Sequence, residues 1–142
     1  MKLFLNSLFL LTSLSAFGQE QSPITVKVTN IKQAKGTMRV AFYKKGSGFP
    51  KEGSITFAKE TKVSKAGELT LKFTDIPYGE YAIAVFQDKN QNQKIDKNLI
   101  GYPTEPFGFS KNFKPKFSDP DFEDCNVIIS ATNNIFSIKL LD

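Results

Sequence analysis

The residues best suited to chemistry lie in the run DKNQNQKID, where Asp88, Asn90, Asn92 and Asp96 occupy relative positions 1, 3, 5 and 9. Alternate oxygen-bearing side chains in a tight loop converge on a hard cation, and the backbone carbonyl of Lys94 at position 7 adds another oxygen. That chemistry points to Ca²⁺. Two carboxylates and two amides form a weakly charged ligand set, for which dissociation constants of roughly 0.1 to 1 mM are expected. Glu105, returning from the next connection, would supply a further carboxylate. The alternative is a hairpin loop held by Asx turns with no metal.

The spacing resembles the start of an EF-hand calcium loop and departs from it twice. Gln93 stands at position 6 in place of glycine, and Leu99 stands at position 12 in place of a bidentate glutamate. A second chemistry-bearing stretch follows in GYPTEPFGFSKNFKPKFSDPD, residues 101 to 121, which has no hydropathy period. Long connections of this kind are functional or disordered, and large aromatic side chains seek burial, so order is expected here. Lys111, Lys114 and Lys116 alternate with Phe109, Phe113 and Phe117, a pattern suited to a groove for an acidic or sugar-like ligand. A bound ion would fix the Asp/Asn loop and place Phe107, Phe109, Ser110 and Lys111 as the ligand-contacting residues. The competing expectation is that these phenylalanines lie over an apolar strand as a satellite core.

Catalysis is constrained by what is missing. With no histidine in the chain, Cys-His and Ser-His nucleophilic pairs and histidine-bound zinc are excluded. Paired carboxylates remain, drawn from Asp88, Asp96, Glu105, Asp119, Asp121, Glu123 and Asp124, and their natural reaction is glycoside hydrolysis. The absence of tryptophan removes a common sugar-stacking surface. Cys125 is the single cysteine and cannot form an internal disulfide. In CNVII it shares strand parity with Val127 and Ile129, which predicts a buried apolar filler.

The elements that must position these groups read as strands. Residues 1–18 carry Lys2, an apolar run from Leu3 to Leu14 and the small-residue pattern Ala16-Phe17-Gly18, the signature of a secretory signal peptide. The run is too short to span a membrane. The mature chain, residues 19–142, is then expected in the periplasm or outside the cell as a single monomeric domain with no transmembrane segment. Without Lys2 it keeps 18 basic against 14 acidic residues, a net charge of +4. The lysines are dispersed, so nucleic acid is not an expected partner; an envelope protein or glycan is.

Alternation is clear in Ile24-Val26-Val28, Met38-Val40-Phe42, Ile55-Phe57, Leu69-Leu71-Phe73 and Ile135 to Leu141. The strand from Glu80 to Gln87 differs, because Tyr81, Ile83 and Val85 make one apolar face while Ala82, Ala84 and Phe86 make the other. Such a strand is covered on both sides and belongs in the middle of its sheet. Another strand is expected from Asp124 to Ser130. The pattern predicts an all-β fold, an antiparallel β-sandwich of about seven strands, immunoglobulin-like or prealbumin-like.

The run FTDIPYGEYAIAVFQDKNQNQKIDKNLIGYPTEPFGFSKN, with PDFED at residues 120 to 124, resembles the exported bacterial proteins grouped as domain of unknown function family 2141. The resemblance implies a small β-rich exported protein and brings no established activity. Gln87 stands where members often have histidine, and Gln93 where they often have glycine. Residues and resemblance together lead to an expectation of a non-enzymatic envelope binding or structural module with a calcium-stiffened loop, the alternative being a carboxylate-dependent hydrolase of envelope glycans.

Overall fold

The computed structural model describes residues 23–142; the expected signal peptide lies outside the described residues. The alternating segments become β1 (Ile24–Ile31), β2 (Thr37–Lys44), β3 (Phe57–Lys62), β4 (Gly67–Phe73), β5 (Gly79–Asp88), β6 (Phe107–Phe109), β7 (Asn126–Ile129) and β8 (Ile135–Lys139), with one α-helical turn, α1 (Phe122–Cys125), and 3-10 turns at Glu52–Ser54 and Ser110–Asn112. Among the described residues no helix is long and apolar enough to cross a membrane.

The strands form two sheets. One has the order β4-β1-β8 and the other β3-β2-β5-β6, with β7 also paired to β5. Buried residues from both merge in one cluster: Ile24, Val26 and Val28 of β1, Leu71 and Phe73 of β4 and Ile138 of β8 meet Met38, Val40 and Phe42 of β2 and Tyr81, Ile83 and Val85 of β5. Each large apolar side chain taken out of water there stabilises the fold by about 1.5–3 kcal/mol. Phe42 is central, with its ring 4.9 Å from that of Phe73 in an edge-to-face contact.

Four features depart from the sequence expectation. First, β1 pairs β4 antiparallel but β8 parallel, so this sheet is mixed and not wholly antiparallel. Second, the strand expected around Ile55 begins at Phe57 and runs through Lys59, Glu60 and Lys62. It is an edge strand, where charged residues are tolerated and discourage pairing with other chains. Third, the residues before β7 form α1, in which Asp121 N–H donates to Asp124 Oδ2 at 3.0 Å as half of a capping box. The turn breaks strand parity, so Cys125 is buried apart from Ile129, in a different cluster. Fourth, the long connection contains β6, whose three residues are too few to show a period.

As its two-sided composition implies, β5 is interior to its sheet. One edge pairs β2 from Tyr81 to Asp88. The other is shared, by β7 from Gly79 to Ala82 and by β6 from Ala84 to Phe86. Between those two pairings only Ile83 is left over, and the Ser110 hydroxyl fills the gap: it accepts the Ile83 N–H at 2.9 Å and donates to the Cys125 carbonyl.

Candidate functional site

Two connections cover the outer face of the β2/β5 region, and both leave from or return to β5. The first starts at Asp88. The preceding Gln87 is buried, and its Nε2 donates to the carbonyls of Gln33 at 2.9 Å and Lys35 at 2.7 Å, so the β1–β2 connection is tied to this end of β5. Gly36 makes the crossing possible, since at φ 71° a Cβ would sit 1.9 Å from the Asp88 carbonyl oxygen. Only glycine fits that approach.

In the Asp/Asn loop the side chains bond largely to backbone. Asp88 Oδ1 accepts the Asn92 N–H at 3.2 Å and Oδ2 the Gln93 N–H at 2.7 Å. Asn90 Oδ1 accepts the Asn92 N–H and Asn92 Oδ1 the Lys94 N–H, two Asx turns in succession. The amides of Asn90 and Asn92 donate to Asp96 at 2.5 and 2.8 Å. Gln93 has φ 65°, so the backbone adopts at position 6 the left-handed conformation for which an EF-hand loop uses glycine.

Glu105 does return to this loop. Its Oε1 accepts the Lys89 N–H at 2.8 Å and its Oε2 the Asp96 N–H at 3.2 Å, clamping the two ends of the run together. Asp88 and Glu105 are both buried, and among the described residues no lysine or arginine forms an ion pair with either of them or with Asp96. The acidic side chains nevertheless do not converge into a metal-holding group among the described residues. In this arrangement the oxygens of Asn90 and Asn92 serve Asx turns.

The second connection supplies the aromatic cover. Phe107 and Phe109 of β6 stand opposite Phe86 and Ala84 of β5 and join Ala82, Phe122 and Cys125 in a separate buried cluster, with Phe49, Ile95 and Phe113 packed against it. This is the satellite core, from which Phe117 is absent: it is exposed to solvent. Gly108 sets the spacing, because a Cβ there would approach Ile138 Cγ2 and the Lys139 carbonyl to 2.9 Å. Beyond β6, Asn112 reaches β8: its Oδ1 accepts the Lys139 N–H at 2.7 Å and its Nδ2 donates to the Ser137 carbonyl at 3.4 Å.

A cavity of about 210 Å³ remains between these connections, the β2–β3 connection (Pro50, Lys51, Glu52, Ile55) and the sheet. Ala41 and Ala84, cross-strand partners, lie at its floor because methyl side chains leave space above them. Phe107 and Phe109 line it; Ser110 and Lys111 do not. Ser110 bonds in the interior, and Lys111 Nζ donates to the Glu123 carbonyl at 3.0 Å and to Asn126 Oδ1 at 2.8 Å.

The alternation argument missed Arg39 and Tyr43, which face this cavity from β2. Arg39 is the sole arginine of the chain and shares parity with Ala41 and Tyr43, a signal that was available. Its Nη1 donates to Glu52 Oε1 at 2.8 Å; its Nε is buried 3.4 Å from Glu60 Oε1 without a hydrogen bond. Burial pushes the Tyr43 hydroxyl up to about 12 despite the nearby Arg39 charge, with Glu52 adding to the rise. The Cys125 thiol is likewise raised to about 12, by burial first and by Asp124 second, so it stays protonated and is not a nucleophile at neutral pH.

The remaining carboxylates have other partners. Asp121 and Asp124 cap α1, Asp119 pairs with Lys97 at 3.9 Å, and Glu123 pairs with Lys45 at 3.1 Å. The Lys45 hydrogen bond holds Glu123 below the ordinary carboxylate range.

An all-β chain with two open sheets, a mixed one and a larger antiparallel one whose outer face is roofed by loops, defines the class. The chain belongs to the family described as an uncharacterized protein conserved in bacteria (DUF2141), whose model matches residues 26–137. No curated protein and no solved structure matches it.

Proposed function

We propose that this chain is an exported, non-enzymatic binding module of the bacterial envelope, a β-sandwich of immunoglobulin-like or prealbumin-like type that takes its ligand on the outer face of the larger sheet. One observation carries the reading: the alanine-floored cavity of about 210 Å³ lined by Phe107, Phe109, Tyr43 and Arg39. Apolar walls with a few polar groups are the usual composition of a small-ligand site. Peptidoglycan fragments and envelope oligosaccharides are the probes. The expected result is a rise in melting temperature with one probe class in the native chain and none in Ala84→Leu, which fills the floor. Equal shifts in both proteins would place binding elsewhere.

Calcium in the Asp/Asn loop is the structural part of the proposal, with Asp88, Asn90, Asn92, Asp96, Glu105 and the Lys94 carbonyl as ligands. Its support is the buried, cation-free pair Asp88 and Glu105 beside Asp96 and the left-handed turn at Gln93. The ion would require Asn90 and Asn92 to give up their Asx-turn bonds. With a dissociation constant of about 0.1 to 1 mM, 10 mM Ca²⁺ stabilises the fold by about 1.4–2.7 kcal/mol. A melting temperature that rises with Ca²⁺, not with Mg²⁺, and no longer responds in Asp88→Ala is the expected outcome; a flat response leaves a metal-free Asx loop.

Glycan hydrolysis is the second reading, favoured by Glu52 and Asp119 lining the same cavity. Release of reducing ends from peptidoglycan that is lost in Asp119→Asn would establish it.

A further inference from the structure

Beyond the cavity, two loop tips present large apolar side chains to solvent. The first is a small hairpin: Thr104 N–H donates to the Asp96 carbonyl and Asn98 N–H to the Tyr102 carbonyl, each at 2.8 Å. The Asn98 side chain then accepts the N–H groups of Ile100 at 3.1 Å and Tyr102 at 3.0 Å. These bonds fix the turn and aim its apolar residues outward, leaving Leu99 107% and Ile100 89% exposed. The second tip carries Phe117, 100% exposed. The tips adjoin, for Ile100 and Tyr102 line one groove with Phe117, and the Lys97–Asp119 ion pair joins their loops.

A single exposed leucine needs no explanation, but three fully exposed large side chains on adjoining, hydrogen-bonded tips form an apolar protrusion. Its surroundings are cationic. Lys94, Lys97, Lys114 and Lys116 are exposed on the two connections, against the exposed Asp119 and Asp121. Asp88 and Glu105 are buried on backbone donors, and Asp96 is half-buried under two amides. Protruding side chains flanked by Lys97 and Lys116 suit a soft partner with negative charge at its surface and apolar matter beneath it. We infer that this end of the molecule docks on an anionic lipid bilayer, with Leu99, Ile100 and Phe117 entering the boundary between headgroups and acyl chains and the lysines resting on the headgroups. The inference does not rest on the ligand cavity, whose floor lies on the sheet, although Lys97 and Asp119 also line that cavity.

The test places a bimane probe on Ser118→Cys, beside Phe117, or on Thr70→Cys of β4 in the other sheet. Native Cys125 is fully buried and remains unlabelled. The proteins, all with identical N-terminal residues, are mixed with phosphatidylcholine vesicles containing doxyl-labelled acyl chains, with or without phosphatidylglycerol. Quenching is expected at position 118 only with phosphatidylglycerol, and at position 70 in neither case. The triple variant Leu99→Ser/Ile100→Ser/Phe117→Ser loses that quenching, and its partition coefficient falls at least about tenfold. Lys97→Gln and Lys116→Gln each lower the coefficient about fivefold. All three apolar residues are fully exposed, so the triple variant keeps its melting temperature. Equal quenching at both positions, or quenching that survives the triple variant, overturns the inference. So does a dimer in sedimentation equilibrium that the triple variant dissolves, which would assign the tips to a second copy of the chain.

Discussion

On the inner face of β5, Tyr81, Ile83 and Val85 meet residues of the other sheet, whereas on the outer face Ala82, Ala84 and Phe86 pack with the phenylalanines of the neighbouring β6, with α1 and with loop residues. The inner face is a layer of strands against strands, filled by side chains that alternate along every contributor. The outer face is covered by segments with no common period, joined by side-chain-to-backbone bonds from Ser110, Lys111 and Asn112. Depth of burial is similar, with Phe42 at 0% and Phe107 at 3% exposed, and the outer cluster borders a cavity of about 210 Å³ beneath its loops.

The sharpest test deletes one ring from each face. Phe42→Ala empties a site enclosed by two sheets and is expected to cost about 3–5 kcal/mol in urea unfolding. Phe109→Ala enlarges a cavity that already exists and loosens loops, so about 2–3 kcal/mol is expected. Equal losses would break the distinction and make the outer cluster a second full core.

This difference also explains what was legible in advance. Inner-face strands announce themselves by period two, so β1, β2, β4 and β5 fall where alternation puts them, and the second apolar face of β5 correctly implied a cover. The identity of that cover was hidden. β6 contributes Phe107, Gly108 and Phe109 alone, and its pairing depends on a glycine that lets backbone approach Ile138 and Lys139. α1 depends on Asp121 and Asp124, which in sequence look like any other acidic residues. In the Asp/Asn loop the spacing marked the oxygen-bearing positions Asp88, Asn90, Asn92 and Asp96, and Glu105 does reach that loop. That their first partners are backbone N–H groups is a matter of turn geometry, which residue type does not encode. Nor does alternation show that the outward residues Arg39, Ala41 and Tyr43 are roofed.

A smaller loss probes how the cover is fastened. Ser110→Ala leaves the Ile83 N–H buried without an acceptor in the gap between the β6 and β7 pairings of β5, for an expected cost of about 1–3 kcal/mol. Ser110→Cys keeps a weak acceptor and should recover part of it. If Ser110→Ala is neutral, the two strands close the gap themselves.

Alkaline pH separates the faces differently, because the outer one holds a thiol and the Tyr43 phenol. The unfolded thiol ionises above its ordinary 9.0 and the phenol above 10.0, while in the fold both stay protonated to about 12. Above pH 9 the unfolded state therefore binds fewer protons, and stability, complete below that pH, falls as pH rises toward 12. Each group contributes a slope of about 1.4 kcal/mol per pH unit. Cys125→Ala should remove the part that begins at pH 9 and leave the part that begins at pH 10, read from urea midpoints across the range. The inner face enters through Tyr81, whose hydroxyl is also raised by burial while donating to the Pro77 carbonyl at 3.0 Å. A slope unchanged in Cys125→Ala would assign the alkaline loss to the two tyrosines, Tyr43 and Tyr81.

The smallest expected effect lies where the cover meets the other sheet. Asn112 satisfies the Lys139 N–H and Ser137 carbonyl on the edge of β8, acting as a one-residue substitute for a further strand. Both groups are near solvent, so water replaces the amide at modest cost and Asn112→Ala should lose about 0.5–1.5 kcal/mol. The informative readout is local. Hydrogen exchange should speed at Lys139 in the variant while Ile138, inside the shared core, keeps its protection. Were both amides to open together, β8 would be held by the loop as much as by β1, and the strand-built and loop-built layers would form one cooperative unit.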